Sequence, residues 1–188
     1  MDNRDKIKQV ATKLFSRRSY ENVGIQQIVD ECGISKPTLY YYFSSKKGLM
    51  EAILKEEFTP FLEGLADITQ YAGDVMGTLR ATVLSYQNFS TNDPYLYYLY
   101  KSMSAMPEQS DSYLLVKSFS DRESDIARQL FADIAKDHGN IGNRSVIYGS
   151  TFLGMVETYI KLIHSSFEYT EEDLLYRVLH QFLHGIYS

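Results

Sequence analysis

Between Val23 and Leu54 the chain reads VGIQQIVDECGISKPTLYYYFSSKKGLMEAIL, an order few folds can accommodate. Ile25, Ile28, Val29 and Cys32 recur at i, i+3, i+4 and i+7, the spacing of one apolar helical stripe. Gln26, Gln27, Asp30 and Glu31 fall on the opposite face. Gly33 is placed to end that helix in a left-handed cap, where glycine meets no Cβ penalty. Ile34 turns back to the core, and Ser35 is an N-cap whose hydroxyl reaches the amide of Thr38. Pro37 sits in the first turn of the next helix, where its missing N–H leaves no bond unmade. Leu39 and Phe43, four apart, take the inward face. Two short helices joined by a glycine turn make a helix-turn-helix.

The second of these helices carries more polar and aromatic side chains than its inner face can hide. Lys36, Pro37, Thr38, Tyr40, Tyr41 and Tyr42 therefore form a cationic and aromatic outer face. Lysines and tyrosine hydroxyls are phosphate ligands, and proline or tyrosine rings can lie against thymine methyls and sugars. After Phe43, either Ser44 or Ser45 can cap a further helix that opens with Lys46 and Lys47. Free N–H groups and two lysines at one helix start make a second phosphate clamp. The competing reading, an aromatic core segment beside a solvated lysine face, leaves unexplained why so many features agree in register.

Residues 5–54 resemble the DNA-binding domain of the TetR family of bacterial transcription regulators. The matching pieces are IKQVATKLF, Tyr20, IVDECGISKPTLYYYF and the following SKKGL. The resemblance implies that Gly24, Gln26, Gln27, Ser35, Lys36, Pro37, Thr38, Tyr40, Tyr41, Tyr42, Lys46 and Lys47 face double-stranded DNA. It also implies a division into a DNA-binding domain, residues 1–54, and a helical effector-binding and dimerisation domain, residues 55–188. Three positions depart from the family pattern. Ser19 stands where glycine usually ends the first helix, Gly24 and Ile25 where Thr or Ser usually caps the second, and Gly48 where an acidic residue is common. The second departure removes a hydroxyl contact to phosphate, although the Gly24 backbone can still approach DNA closely.

The charge is split. The whole chain carries −5, but residues 1–55 hold ten Lys and Arg against six Asp and Glu, or +4, while residues 56–188 hold nine against eighteen, or −9. A basic head on an acidic body steers one end towards DNA. The lone Cys32 excludes an intrachain disulfide and suits a reducing cytoplasm. MDNRDKIK is charged from its second residue, unlike a signal peptide. No run approaches the roughly 20 apolar residues of a membrane span; the most hydrophobic stretch, residues 146–163, contains Glu157 and Lys161.

The rest reads as helices, about nine in all, so the fold class is all-α. The fourth runs from Lys46 into the low sixties, ending near Pro60 or Gly64. Others span about 74–89, 95–103 after the start signal Asn92-Asp93-Pro94, 110–137 up to His138-Gly139-Asn140, and 143–165. A last one is capped by Thr170.

Apolar residues occupy nearly every face of the 146–163 helix, which therefore needs cover all round. Together with the last helix (Leu174, Leu175, Val178, Leu179, Phe182, Leu183, Ile186) it is expected to build a twofold four-helix bundle with a second copy. Phe152, Val156, Ile160, Val178, Leu179 and Phe182 are the interface candidates, and Gly149, Ser150 and Gly154 would admit a partner's backbone.

The middle of the chain is rich in Tyr, Phe and Met. Tyr86, Phe89, Tyr100, Met103, Phe119, Phe152 and Met155 are the candidates to line a cavity for a small hydrophobic or aromatic effector. His180 and His184 share a helical face, but Gln181 leaves them without the general base of a metalloprotease motif. No metal, cofactor or enzymatic activity is expected. The sequence thus points to a cytoplasmic homodimeric regulator, a repressor that binds a near-palindromic operator and is released by an effector. The alternative is a DNA-binding adaptor or nucleoid-organising protein with no effector.

Overall fold

The computed structural model describes residues 2–139, 141–165 and 170–185. Its elements are α1 (Asn3–Arg18), α2 (Ile25–Cys32), α3 (Lys36–Phe43), α4 (Lys46–Ile53), a π-helical turn (Leu54–Phe58), α5 (Thr59–Ile68), α6 (Val75–Asn92), α7 (Pro94–Ser104), α8 (Asp111–Asp137), α9 (Ser145–Ile163) and α10 (Glu171–His184). From α4 through α5 the helix is unbroken, so the described residues form nine continuous helices and no strand. None of them is long and apolar enough to cross a membrane. Asn140 and Ile186, read above as part of a helix stop and of the last apolar stripe, lie outside the described residues.

Local chemistry sets most boundaries. Asp2, Asp74, Asp93 and Thr170 each accept a backbone N–H three residues on and so start α1, α6, α7 and α10. Gly33 closes α2 at φ 65°. Two expectations are corrected. The fourth helix does not stop near Pro60 or Gly64. The preceding turn widens, with the Thr59 N–H reaching back to the Leu54 carbonyl, which gives the Pro60 ring room and lets the helix run on to Ile68. Asn143 does not start α9; Arg144 occupies the cap, closing a tight turn onto the Ile141 carbonyl.

Two compact units emerge, Met1–Leu62 with Ser90–Ser120, and Glu63–Phe89 with Asp121–Ser188. In the first, α1 packs on α2, α3, α4 and α7. Its centre is Ile7, Ala11, Phe15, Ile28, Leu39, Leu49 and Ile53, all fully buried. Cys32 is buried there as a small apolar side chain.

In the second unit, Leu79, Val83, Tyr86, Leu130, Phe131, Phe152, Val156, Ile160 and Leu179 form the core. Gly149 belongs inside it: a Cβ there would lie 3.0 Å from the Arg128 amide, so glycine lets α9 meet the α8 backbone. That contact is within one protomer, not with a partner.

Ser19, at the end of α1, has φ 67° and ψ 153°, a region essentially reserved for glycine. Ser19→Gly is therefore expected to stabilise the protein by about 1–2 kcal/mol, seen as a higher urea midpoint. An unchanged midpoint would mean the backbone relaxes around serine at no cost.

Candidate nucleic-acid interface

The helix-turn-helix forms for the reasons its sequence gives. Ile28, Val29 and Cys32 of α2 and Leu39 and Phe43 of α3 are buried together. Ser35 accepts the Thr38 N–H at 3.3 Å and touches the Thr38 hydroxyl at 2.9 Å. With that inner face anchored, Lys36 and Pro37 are exposed, Tyr40 is 45% exposed and Tyr41 83%. An exposure of 83% for a tyrosine on a rigid helix leaves its ring and hydroxyl open to a ligand. Tyr42 is only half-buried and lies edge-on to Tyr41, with ring centroids 5.1 Å apart.

The α2 candidates are partly committed to their own helix. Gln27 accepts the Gly24 N–H through Oε1 at 2.9 Å, the half of a capping box that needs no hydroxyl, and Gln26 donates to Asp30 at 2.7 Å. Gly24 is exposed, and a Cβ there would meet nothing within 4 Å. Gly48 is different. A Cβ on it would fall 2.4 Å from the Phe43 carbonyl, so the tight Ser44–Ser45 turn into α4 needs glycine. Of the two serines, Ser45 is the cap, accepting the Gly48 N–H at 2.9 Å.

The two lysines of the expected phosphate clamp have separate roles. Lys47 is well exposed, with a loose 3.8 Å pair to Glu51. Lys46 instead donates to the Tyr20 and Val23 carbonyls at 2.9 and 3.1 Å, its ammonium 4.2 Å from the centre of the Tyr20 ring. It closes the α1–α2 turn. Lys46→Ala is accordingly expected to cost about 1–2 kcal/mol of stability by stripping two carbonyls of their donor. Lys47→Ala should leave the melting temperature alone and lower the salt slope of DNA binding by about one unit. The reverse pattern in melts and salt titrations would exchange the two roles.

Other polar side chains hold this unit together, and no periodicity marks them. Arg17 donates to the Tyr95 hydroxyl at 3.1 Å and lies over its ring. Glu21 accepts the Ser112 hydroxyl at the start of α8. Burial pushes the Glu21 carboxyl up, but the hydrogen bonds from Ser112 outweigh it and hold it below its ordinary range.

Among the effector candidates, Tyr100, Met103 and Phe119 belong to the first unit, where the Phe58 ring meets those of Tyr100 and Phe119. Tyr86, Phe89, Phe152 and Met155 belong to the second. The gap beside Tyr86 and Phe152 measures about 10 Å³.

Of the interface candidates, Phe152, Val156, Ile160 and Leu179 are buried within the second unit itself. Only Val178 and Phe182 reach its surface. They line an outer groove of about 570 Å³ between α9 and α10 with Thr151, Gly154, Met155 and Thr158. The all-round apolar helix finds much of its cover inside its own protomer.

Residues 7–53 match the family described as bacterial regulatory proteins, tetR family. Over 92 residues the chain is 32% identical to the HTH-type transcriptional activator FasR of Mycolicibacterium smegmatis, a stretch covering 49% of this chain and 42% of that protein. The chain resembles the TetR family over residues 7–53.

Its match to FasR spans less than half of that relative's length. In fold, the chain is similar to AibR, solved in complex with isovaleryl coenzyme A and operator DNA, with a TM-score of 0.74 and 20% identity over 96% of this chain and 97% of that one. It is similar also to FadR from Bacillus subtilis in complex with stearoyl-CoA, with a TM-score of 0.75 and 15% identity over 97% and 99% of the two chains. The likeness to these solved structures extends over nearly the whole chain, although the family match itself stops at Ile53.

Proposed function

We propose that this chain is a DNA-binding transcription regulator that acts as a homodimer, with residues 1–54 as the DNA-binding part and 55–188 as the effector-binding and assembly part. The observation that carries this is the outer face of α3, where Lys36, Pro37, Tyr40 and Tyr41 stand exposed over a closed core. Two such helices, one per protomer, enter successive major grooves about 34 Å apart on a near-palindromic site. Lys47 neutralises a phosphate, while Gly24, Gln26, Gln27, Ser35, Thr38 and Tyr42 supply closer backbone and polar contacts. The groove between α9 and α10 receives the same helices of a second copy.

The regulator is a repressor released by a small hydrophobic effector. The complexes of AibR with isovaleryl coenzyme A and operator DNA, and of FadR with stearoyl-CoA, support a ligand-responsive reading. FasR is named an activator, so the sign of regulation is best read from a reporter gene. The nearly filled gap beside Tyr86 and Phe152 favours the second reading, a DNA-binding adaptor with no effector. A thermal shift by a small molecule that also weakens DNA binding decides for the regulator.

The test of DNA reading starts from genomic fragments captured by the protein. Tyr41→Ala and Lys36→Ala should each lose about tenfold or more in affinity for the captured site, and less for random DNA. Variants that hold the captured site as tightly as the parent would remove α3 from the interface and sink the proposal.

A further inference from the structure

Within the Glu63–Phe89 and Asp121–Ser188 unit a hollow of about 410 Å³ opens where the first turn of α6, the end of α8 and the last turn of α10 come together. Sites for small ligands usually fall between about 300 and 1,000 Å³. The floor is sealed, since Phe131 is 3% and Ile134 1% exposed. Tyr148 of α9 lies stacked on Phe131, the planes 25° apart and the ring centroids 5.9 Å apart. Phe182 of α10 meets the Phe131 ring edge-on at the same distance. Three rings so arranged suit a planar guest, which can stack on one and meet another at its edge.

Besides Tyr148, the polar side chains in this wall are two imidazoles, His138 and His184, and none of the described residues lining it is Asp, Glu, Lys or Arg. Each imidazole is backed by a neighbour: the Tyr71 hydroxyl stands 3.4 Å from His138 Nε2, and the His180 ring 4.5 Å from that of His184. Arg144 is engaged with the wall itself, its guanidinium 5.3 Å from the centre of the Tyr148 ring and donating to the Ile141 carbonyl at 3.2 Å. An anion is opposed by the charge of the unit, which holds seven Lys and Arg against thirteen Asp and Glu. A cation meets ring faces but no carboxylate, and the loss of its hydration outweighs what the rings return. A neutral hydroxyl gives one hydrogen bond and takes another, which is what an imidazole offers in return.

We infer that this hollow is the effector site, and that it takes a neutral aromatic molecule carrying a hydroxyl, its ring on Phe131 and its hydroxyl towards His138 and His184. This rests on the effector-responsive reading above and gives it a place other than the filled core beside Tyr86 and Phe152. Tyr148 and Phe182 also line the outer groove between α9 and α10. A guest in the hollow and a second copy on the groove would press on the same two rings, and each would change the affinity for the other by the same factor.

Three probes of similar shape test it: 2-naphthol, 2-naphthoate and 2-naphthylmethylamine, titrated calorimetrically into the full chain near neutral pH. 2-Naphthol should bind at least about tenfold tighter than either charged probe, the scale of one buried hydrogen bond made or one ion left unpaired. Ile141→Trp, which fills the hollow from its rim, should weaken 2-naphthol at least about tenfold; Met76→Trp does the same from α6 and serves if the first variant does not fold. With His138→Leu and His184→Leu combined, 2-naphthol should bind no better than 2-methylnaphthalene, which lacks the hydroxyl. Equal or tighter binding of a charged probe, 2-naphthol binding untouched by the Trp variants, a hydroxyl advantage that survives the loss of both imidazoles, or no binding of any probe overturns the inference. Capture of genomic fragments, measured without probes, keeps the two readings apart. A chain that holds its fragments but prefers a charged probe loses only this inference; one that binds 2-naphthol in the hollow but holds no DNA loses the regulator and keeps the site.

Discussion

Gly154→Glu is expected to leave each protomer folded and to abolish tight DNA binding. Gly154 is exposed in the middle of α9, and a Cβ added there would meet nothing within 4 Å. Within one protomer the change should even help, since a helix interior prefers glutamate to glycine by about 0.5–1 kcal/mol. Any loss must then come from a second copy. The groove around Gly154 is more apolar than its composition, because Thr151 and Thr158 turn their hydroxyls onto carbonyls of α9 at 2.8 and 2.9 Å and leave their methyls outward. Val178 and Phe182 complete it from α10. A carboxylate pressed into that surface by a partner helix would cost several kcal/mol, on the order of what a dimer of this kind has to spare. Light scattering should show a monomer, and affinity for a two-half-site DNA should fall by about a hundredfold or more. A dimer with parental affinity would place the interface elsewhere. Phe152→Glu or Leu179→Glu would not discriminate, because both side chains are inside the protomer and their replacement unfolds it.

Lys8→Ala should be among the most destabilising single changes in the first unit. Lys8 is only 8% exposed, yet its ammonium reaches Glu57 at 2.7 Å and Glu56 at 2.9 Å, and Arg4 closes on Glu56 from α1 as well. Hydrogen bonding from Arg4 leads the effects that hold the Glu56 carboxyl down at about 2. Burial works against the Lys8 charge, but the hydrogen bonds to Glu57 and Glu56 outweigh it and raise the group to about 12. Removing the ammonium leaves crowded carboxylates with one cation fewer, at a cost of about 2–3 kcal/mol, a buried-pair figure reduced because Glu56 is a third exposed. The sign with pH follows from the directions. Glu56, lowered on folding, contributes stability above about 4.5 that is lost as pH falls towards 2. Lys8, raised on folding, contributes below about 10.5 and is lost as pH rises through 12. The parent should therefore weaken on acidification more steeply than Lys8→Ala, as read from urea midpoints at pH 7, 4 and 3. Parallel curves would mean the pair adds nothing to the fold.

The helix-turn-helix was legible because its parts are local. The i, i+3, i+4 stripe of α2, the Gly33 stop, the Ser35 cap and Pro37 each act within a few residues and appear where the sequence puts them. The carbonyl partners of Lys46 were hidden for the opposite reason. They lie more than twenty residues away, and nothing in a lysine beside a helix start distinguishes a phosphate ligand from a turn clamp. The cover of the all-round apolar α9 was hidden in the same manner, since periodicity records that a face needs cover and not which chain covers it. Pro60 marked something real, a disturbed turn, although the helix widened there instead of ending.

The widened turn at Leu54–Phe58 is a place where the chain can lose a residue without turning its neighbours. Lys55 is exposed, and most side chains would serve in its place. A turn closed from the Thr59 N–H to the Leu54 carbonyl holds one residue more than an ordinary one. With one residue fewer the helix would return to its regular pitch, and the side chains from Phe58 onward would keep nearly their present direction about the axis relative to Leu49, Met50 and Ile53. Phe58 would still face the Tyr100 ring, which it now meets at 4.1 Å between centroids. A deletion on either side of the turn would instead rotate everything beyond it by about 100°, so an alignment with its relatives should set one-residue gaps within this turn.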